Sequence, residues 1–261
     1  MEVRFFQVDA FTRQPFKGNQ AGVCLLEQMP DDEVLKAIAA ENNLAETAFL
    51  LRVENGYHLR WFSPLVEMAL CGHATLASAH VLWETGLVTP DETISFTTLS
   101  GLLTASRQNG WITLDFPARD HEPATLPEEL QPLFKDEVTN VVFSVDRYLV
   151  ELKTGAAVAG FVPDRNLLAP YRLVVTGKGD EGSPYDFISR YFATPVGVDE
   201  DPVTGSAHCS LAPYWAARLH KSEFFAYQAS QRGGELKVVL QGNRVLLKGE
   251  AVTVIDGVFR F

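Results

Sequence analysis

The sequence contains few cysteines and lacks any long apolar run. Three cysteines in 261 residues are an odd number in a chain large enough to fold without disulfide bonds. We therefore expect reduced thiols and a cytoplasmic protein. No apolar stretch approaches the roughly 18 residues that a membrane-spanning helix needs, and the charged, alternating N-terminus is not typical of a signal peptide. The cysteines are Cys24, Cys71 and Cys209.

Positive charge is also scarce. The chain has 22 lysines and arginines against 33 aspartates and glutamates, so its formal net charge is -11. This excess of negative charge repels phosphate backbones and anionic membranes, and we expect neither nucleic acid nor a membrane as a partner. A small anionic substrate remains compatible with it, because the N-termini of helices bind anions whatever the net charge.

A weak internal repeat divides the sequence into two halves. Gly72-His73-Ala74 reappears 133 residues later as Gly205-Ser206-Ala207, and Ser100-Gly101 corresponds to Gly233-Gly234 at the same offset. A constant offset across separate glycine positions predicts two lobes built on one plan.

Each half predicts several short strands and one helix that is apolar on nearly every face. These helices are expected over residues 74–83 and 206–219. A helix without a polar side is buried all round, so a sheet should wrap around it. The expected fold class is α+β, with two pseudo-symmetric lobes, each a mixed β-sheet or barrel curled around a central buried helix. We expect an N-terminal lobe over residues 1–117 and a C-terminal lobe over residues 118–261, whose last strand is free to pair back with the first lobe.

Two motifs in the second half suggest other chemistries. Gly177-Lys178-Gly179-Asp180-Glu181-Gly182 matches the dinucleotide pattern Gly-x-Gly-x-x-Gly after a predicted strand. Ser183 and Pro184 follow it and cannot continue the helix that would hold the pyrophosphate, so we interpret the segment as a surface loop and expect no cofactor. A hydrolase built on Ser206 and His208 is weakly indicated, because Thr-Gly-Ser-Ala-His is not Gly-x-Ser-x-Gly.

Cys71 lies two residues from His73 at a predicted helix start, a position that lowers the pKa of a thiol. The alternative is a small buried hydrophobic residue. Its repeat equivalent is Thr204, so the sequence has no symmetric pair of thiols. Neither a His-x-x-x-His nor a Cys-x-x-Cys spacing is present, and no metal site is predicted.

Glu46 is the most informative single residue. Leu44-Ala45 precedes it and Ala48-Phe49-Leu50 follows, so its carboxylate is expected to be partly desolvated. Desolvation raises the pKa of a carboxyl group and suits it to accept and return a proton. The alternative is a carboxylate that points outward from a strand edge or pairs with an arginine such as Arg60.

Gly72-His73 and Gly205-Ser206 each open one of the buried helices. Two helix N-termini directed at one cleft between the lobes would present free backbone N–H groups to a carboxylate. Alternatively, both glycines simply allow close packing of helix against sheet. Asp201 is ambiguous in the same way, because it is either a site residue or a helix cap.

Several motifs follow one another along the chain in the order found in a known family. They are Phe16-Lys17-Gly18-Asn19, Leu44-Ala45-Glu46-Thr47, Leu70-Cys71-Gly72-His73, Arg190-Tyr191-Phe192-Ala193, Glu200-Asp201-Pro202-Val203-Thr204-Gly205-Ser206 and Gln228-x-Ser230-x-Arg232-Gly233-Gly234. Together they resemble the PhzF family, which is named for a phenazine-biosynthesis isomerase. That family is similar in fold to diaminopimelate epimerase and proline racemase.

The resemblance implies cofactor-free proton transfer at a site between two lobes, with Glu46 as the acid/base. It also implies that Cys71 stands where the racemase relatives have the first of two opposed cysteines. Because Thr204 stands at the second position, a two-thiol racemase is disfavoured. The family often forms homodimers. The residues expected to bind or polarise the substrate are Asn19, Gly72, His73, Asp201, Gly205 and Ser206.

We therefore expect a cofactor-independent isomerase or epimerase acting on a small carboxylate-bearing substrate. Glu46 would remove a proton from an activated carbon and redeliver it elsewhere on the same molecule. Backbone N–H groups at the two helix starts would stabilise charge on the substrate's oxygens. The alternative, from another class, is a non-catalytic small-ligand or partner-binding protein on the same scaffold. A nicotinamide-dependent oxidoreductase is the third hypothesis.

Overall fold

The computed structural model describes residues 2–134 and 137–260, which divide into two compact units. The first unit contains the chain up to Asp115 and the segment from Lys248 onward, and the second is Phe116–Leu247. The C-terminal segment groups with the first unit, and the expected C-terminal lobe allowed for such a return of its last strand. The reason is that the last strand pairs along its whole length with the first strand, from Glu2 opposite Arg260 to Ala10 opposite Ala251.

The first unit contains nine strands and two helices among the described residues. They are β1 (Glu2–Ala10), β2 (Asn19–Leu26), α1 (Asp32–Asn42), β3 (Glu46–Val53), β4 (Gly56–Phe62), β5 (Glu67–Met68), α2 (Gly72–Glu84), β6 (Ile94–Thr98), β7 (Gly101–Gln108), β8 (Trp111–Pro117) and, at the end of the chain, β18 (Ala251–Arg260).

The second unit contains the remaining described strands and helices. They are β9 (Glu122–Pro123), a 3₁₀ helix (Glu128–Leu133), β10 (Val138–Ser144), β11 (Arg147–Leu152), α3 (Gly155–Ala159), α4 (Arg165–Leu168), β12 (Leu173–Lys178), β13 (Phe187–Ala193), a 3₁₀ turn (Thr194–Val196), β14 (Val198–Asp201), α5 (Gly205–Leu219), β15 (Glu223–Gln228), β16 (Gly234–Gln241) and β17 (Arg244–Gly249).

The two units repeat one order of strand pairing. In the first unit, β1–β2 is antiparallel, β2–β3 parallel, β3–β4 antiparallel, β4–β6 parallel and β6–β7 antiparallel. The second unit follows the same order, in β10–β11, β11–β12, β12–β13, β13–β15 and β15–β16. The fold is therefore α+β with two pseudo-symmetric units of mixed strand pairing, as expected, and the repeat in the sequence is a repeat of topology.

The helix α2 is buried along most of its length, as its apolar composition predicts. It packs against β1, β2, β3 and β18, and Ala74, Leu76 and Leu82 are fully buried. Complete burial of a leucine contributes about 2 kcal/mol. Gly249, which belongs to the same unit, lies against this helix: a Cβ atom there would lie 2.8 Å from a side-chain carbon of Leu76 and 2.4 Å from one of Phe11.

An arginine and a glutamate form the same paired contact in both units. Arg60 of β4 bonds both carboxylate oxygens of Glu67 at 2.7 Å. Arg190 of β13 does the same with Glu200, at 2.7 and 2.9 Å. Bidentate pairs of this kind are strong and fix geometry, so each pair holds the strand that leads towards the central helix of its unit.

Several expectations of local structure are corrected by the coordinates. Two short helices, α3 and α4, were not predicted. The strands β12 and β13 are antiparallel, so the glycine-rich segment after β12 lies in a strand-to-strand connection rather than in a strand-to-helix turn. That topology is not the one that a dinucleotide requires.

All three cysteines are free and buried. Across residues 2–134 and 137–260, no helix combines the length and the apolar character needed to cross a membrane.

Candidate active site

The first candidate cluster lies where β3 and α2 begin. Glu46 is the first residue of β3, and His73 is the second residue of α2. The carboxylate Oε2 of Glu46 lies 3.2 Å from Nε2 of His73. On the other side of the ring, Sγ of Cys71 lies 3.6 Å from Nδ1. The positions of β3 and α2 thus bring Glu46 into one chain of contacts with His73 and Cys71.

The exposure of Glu46 decides between its two interpretations. Its side chain is 16% exposed and that of His73 is 8% exposed, so the carboxylate is partly desolvated but still reachable. Arg60, the arginine considered as a partner, bonds Glu67 and Asp32 instead. The carboxylate of Glu46 therefore faces an imidazole and not a guanidinium.

Burial and charge act in opposite directions on this cluster. Burial raises the pKa of the Cys71 thiol, and the Glu46 charge adds to that, while His73 opposes it. Burial also disfavours a charged imidazole, but the Cys71 sulfur and the Glu46 carboxylate together raise the pKa of His73 well above its usual range. The expected lowering of the pKa of Cys71 was wrong, because desolvation outweighs the effect of the helix start.

No metal site was predicted from the sequence. The possible ligand atoms of Glu46, Cys71 and His73 nevertheless all lie within 4.8 Å of one another. The geometry of the ring decides against shared coordination. Sγ of Cys71 faces Nδ1 and Oε2 of Glu46 faces Nε2, and the two nitrogens of an imidazole point away from each other. One ion cannot be bound by all three groups unless the ring rotates. The three groups form a continuous chain of contacts through the imidazole ring.

Asn19 lies on the same face of the sheet as Glu46. Ala21 is directly opposite Glu46 in the parallel pair β2–β3, and Asn19 precedes Ala21 by two residues. Side chains two residues apart on a strand share a face. Asn19 is 1% exposed and therefore reaches this face as a buried amide.

The loop before Asn19 is fixed by a buried carboxylate that sequence reasoning did not single out. Asp9 is fully buried, and its Oδ2 accepts a hydrogen bond from the backbone N–H of Phe16 at 2.7 Å. Gly18 has a φ of +65°, and a Cβ there would lie 2.1 Å from the carbonyl oxygen of Ala10. The backbone can make this approach only with glycine.

The second candidate cluster surrounds the start of α5. Thr204 is the N-cap residue, and its hydroxyl donates to Oδ2 of Asp201 at 2.5 Å. Asp201 is therefore not the helix cap. The buried Gln228 accepts from the Thr204 backbone N–H at 2.9 Å and donates to the Asp201 carbonyl at 2.7 Å. These bonds hold the segment that leads to Gly205.

Arg147 is the residue of this cluster that sequence reasoning missed. It is 4% exposed, and its Nη1 donates to Oγ of Ser206 at 3.1 Å. Its Nε donates to Asp146 at 2.7 Å, and its guanidinium lies 4.8 Å from the centre of the Tyr191 ring. A buried guanidinium therefore stands beside a helix N-terminus, where backbone N–H groups have no intrahelical partner. Both features favour an anion.

The geometry also speaks against a serine hydrolase in this unit. His208 is fully buried, and its Nδ1 donates to the Thr204 carbonyl at 2.8 Å. Burial lowers the pKa of His208 to about 4. Ser206 contacts Arg147, a cation that cannot act as a general base.

The structure thus gathers the predicted site residues into two clusters, one in each unit. Glu46, Gly72 and His73 lie together, with Asn19 on the same sheet face. Asp201, Gly205 and Ser206 lie together in the second unit. Cys71 and Arg147 complete the clusters.

The fold is one that epimerases share. A hydroxyproline epimerase from Agrobacterium vitis, solved with bound trans-4-OH-L-proline, aligns with a TM-score of 0.64 at 11% identity, covering 98% of this chain and 92% of that one. This likeness concerns the fold.

The chain belongs to the PhzC-PhzF family of phenazine biosynthesis-like proteins, whose model matches residues 8–257. An uncharacterized isomerase from Halalkalibacterium halodurans is 48% identical over 265 residues, covering 98% of this chain and 97% of that one. A crystal structure of a PhzF family protein from Enterococcus faecalis aligns over 100% of both chains, with a TM-score of 0.95 and 37% identity. The expected family is confirmed, and it is isomerase- and epimerase-like.

Proposed function

We propose that this protein is a cofactor-independent isomerase that moves a proton within a small carboxylate-bearing substrate, with Glu46 as the acid/base. The observation that carries the proposal is the contact of 3.2 Å between the Glu46 carboxylate and the buried His73 ring at the start of α2. Glu46 keeps enough exposure to meet a substrate, while His73 is held inside the unit and can stabilise either state of the carboxyl group.

The proton transfer needs only groups of the chain. The Glu46 carboxylate takes a proton from a carbon beside a carbonyl, carboxylate or diene, and the C–H electron pair enters the adjacent π system. Backbone N–H groups of Gly72 and His73, at the N-terminus of α2, stabilise the charge that develops on substrate oxygen. Glu46 then returns the proton to another carbon of the same molecule. No electrons leave the substrate, so no redox cofactor is needed.

For the cluster of the second unit we propose binding of a carboxylate. Arg147 and the first backbone N–H groups of α5 suit a carboxylate, since a guanidinium matches its two oxygens. Ser206, which already bonds Arg147, adds a hydroxyl. Asp201 is held against Thr204 and supplies an acceptor for a polar group of the substrate.

Hydrogen exchange from solvent tests the proposal before the natural substrate is known. Amino-acid-derived and cyclohexadiene carboxylates are incubated with the protein in deuterated water, and carbon-bound deuterium is followed by NMR. We expect incorporation with the native chain and a loss of about 100- to 10,000-fold in Glu46→Gln, the usual contribution of a positioned acid/base. Glu54→Gln, which changes an exposed carboxylate at the end of β3, should retain the native rate.

The same experiment separates the isomerase from the binding-protein alternative. A carboxylate that binds in calorimetry but acquires no deuterium, in every compound of the panel, would support a non-catalytic role. Incorporation that survives in Glu46→Gln would remove Glu46 from the mechanism even though the protein is an enzyme.

A further inference from the structure

A thiol lies behind the histidine of the first cluster, and the proposed function does not use it. Cys71 is 6% exposed and immediately precedes α2, with a φ of -143° and a ψ of 108°. At this position a Ser, Thr, Asp or Asn commonly bonds a backbone N–H of the helix. The Cys71 thiol faces Nδ1 of His73 at 3.6 Å, and it also interacts with the backbone N–H of Ala74 in the first turn of the helix.

The two neighbours of the His73 ring restrict its protonation. A carboxylate can only accept, so a favourable contact with Glu46 requires a proton on Nε2. In the neutral ring, Nδ1 is then an acceptor, which the Cys71 S–H group can satisfy. In the charged ring, Nδ1 is a donor, and the Cys71 sulfur can accept. A thiol suits both states because its hydrogen can rotate towards or away from the ring.

The second unit shows that the helix start itself does not require a thiol. Thr204 holds the equivalent N-cap position before α5, with a φ of -115° and a ψ of 102°. Its hydroxyl bonds Asp201 and Gln228, and Ser206 stands where the first unit has His73. The backbone conformation is therefore reached with either residue, and the choice of Cys71 follows the presence of the imidazole.

We infer that Cys71 is a positioning residue for the proposed proton transfer: through Nδ1 it holds the His73 ring so that Nε2, which lies 3.2 Å from Oε2 of Glu46, carries a hydrogen in both charge states of the ring. This inference rests on the proposed function for its kinetic consequence. Its structural content concerns the tautomer of His73 and can be measured without any substrate. The charged and titratable groups that face the ring are Glu46 from β3 and Cys71 from the start of α2.

The test compares Cys71→Ala with Cys71→Ser and with a matched buried thiol. In Cys71→Ala, nitrogen NMR of His73 should show loss of the single Nε2–H tautomer and a lower pKa, because one partner that raises this pKa is gone. In the exchange assay, the rate of deuterium incorporation should fall about tenfold, which is less than the loss expected for Glu46→Gln. The pH profile of this rate should shift to lower pH. Cys71→Ser keeps a group that donates and accepts and should restore the tautomer and part of the rate.

Cys24→Ala is the control, since Cys24 is a fully buried thiol of β2 in the same unit. It should leave the His73 signals and the pH profile unchanged. Native His73 signals in Cys71→Ala would overturn the inference, as would the same shift in Cys24→Ala, which would reveal a general effect of packing. Neither result bears on Glu46→Gln, so a failure here and a failure of the proposed function remain distinguishable.

Discussion

The starts of α2 and α5 have the same backbone plan and opposite chemistry. Phe62 and Phe192 are equivalent, because each lies two residues after the arginine of the paired contact, Arg60 or Arg190. Thr47 lies opposite Phe62, and Leu173 lies opposite Phe192. The residue before Thr47 is Glu46, and the residue before Leu173 is Arg172. Where the first unit places a carboxylate at the head of its parallel strand, the second unit therefore places a guanidinium.

The same contrast extends to the helix starts. His73 in the first unit corresponds to Ser206 in the second, and Cys71 corresponds to Thr204. One helix start carries a thiol and an imidazole beside a carboxylate, and the other carries hydroxyls beside Arg147. The repeat preserves the backbone N–H groups at both helix starts while the side chains beside them differ. Under the proposed function, proton transfer belongs to the first copy and anion binding to the second. Substitutions at equivalent positions should therefore have different kinetic effects.

After the loss expected for Glu46→Gln, the largest effect in this comparison should come from His73→Asn. This change removes the ring that contacts Glu46 but keeps a small polar side chain at the start of α2. We expect the turnover number to fall about 100-fold, because acid/base groups contribute at least that much, while the Michaelis constant changes less. Ser206→Ala, at the equivalent position, should mainly raise the Michaelis constant. Equal changes in both constants for the two variants would contradict the division of roles.

A smaller kinetic effect is expected for Arg147→Gln. Loss of a charge-assisted hydrogen bond costs about 1.5 to 3 kcal/mol, so the Michaelis constant should rise about 10- to 100-fold with little change in turnover. Arg147→Lys keeps the charge but loses the planar guanidinium group, so its Michaelis constant should lie between those of the native chain and Arg147→Gln. Steady-state kinetics at saturating substrate distinguishes this from a catalytic role. A collapse of turnover in Arg147→Gln, with the Michaelis constant unchanged, would reassign the residue to chemistry.

The sequence predicted the fold well because the repeat is carried by small residues and glycines. Gly72 and Gly205 mark helix starts, and their constant offset required no knowledge of pairing. The buried helices followed from composition alone, since α2 and α5 have no polar face. The short helices α3 and α4 were missed because four or five residues show no periodicity, and tertiary packing decides such segments.

The candidate clusters were predicted less completely, for a different reason. Glu46 and His73 were each singled out, but their contact depends on the register of β3 and on where α2 begins. Arg147 carried no local signal, because an arginine after a predicted strand is usually solvated. The pKa of Cys71 was predicted in the wrong direction, since a sequence shows the helix start but not the depth of burial.

The smallest effect concerns stability rather than rate. The contributions of the two clusters to the free energy of unfolding should change with pH in opposite directions. The pKa of His73 is raised above its ordinary value of 6.5. A group with a raised pKa contributes stability that is complete below its unfolded pKa and is lost as the pH rises through the folded value. Urea unfolding should therefore show the first unit losing stability from about pH 6.5 upward, and Glu46→Gln should flatten this slope.

Asp146 in the second unit should show the opposite sign. Burial opposes its ionisation, but the guanidinium groups of Arg147 and Arg172 outweigh burial and lower its pKa below 3.8. Its contribution is complete above the unfolded pKa and is lost as the pH falls through the folded value. Acidification below about pH 4 should thus lower the free energy of unfolding more in the native chain than in Arg147→Gln. In that variant, the Asp146 carboxylate has already lost one of its two arginine partners. An acid slope that is identical in the two proteins would show that Arg147 does not hold Asp146 in its charged form, and the electrostatic contrast between the clusters would then rest on the first unit alone.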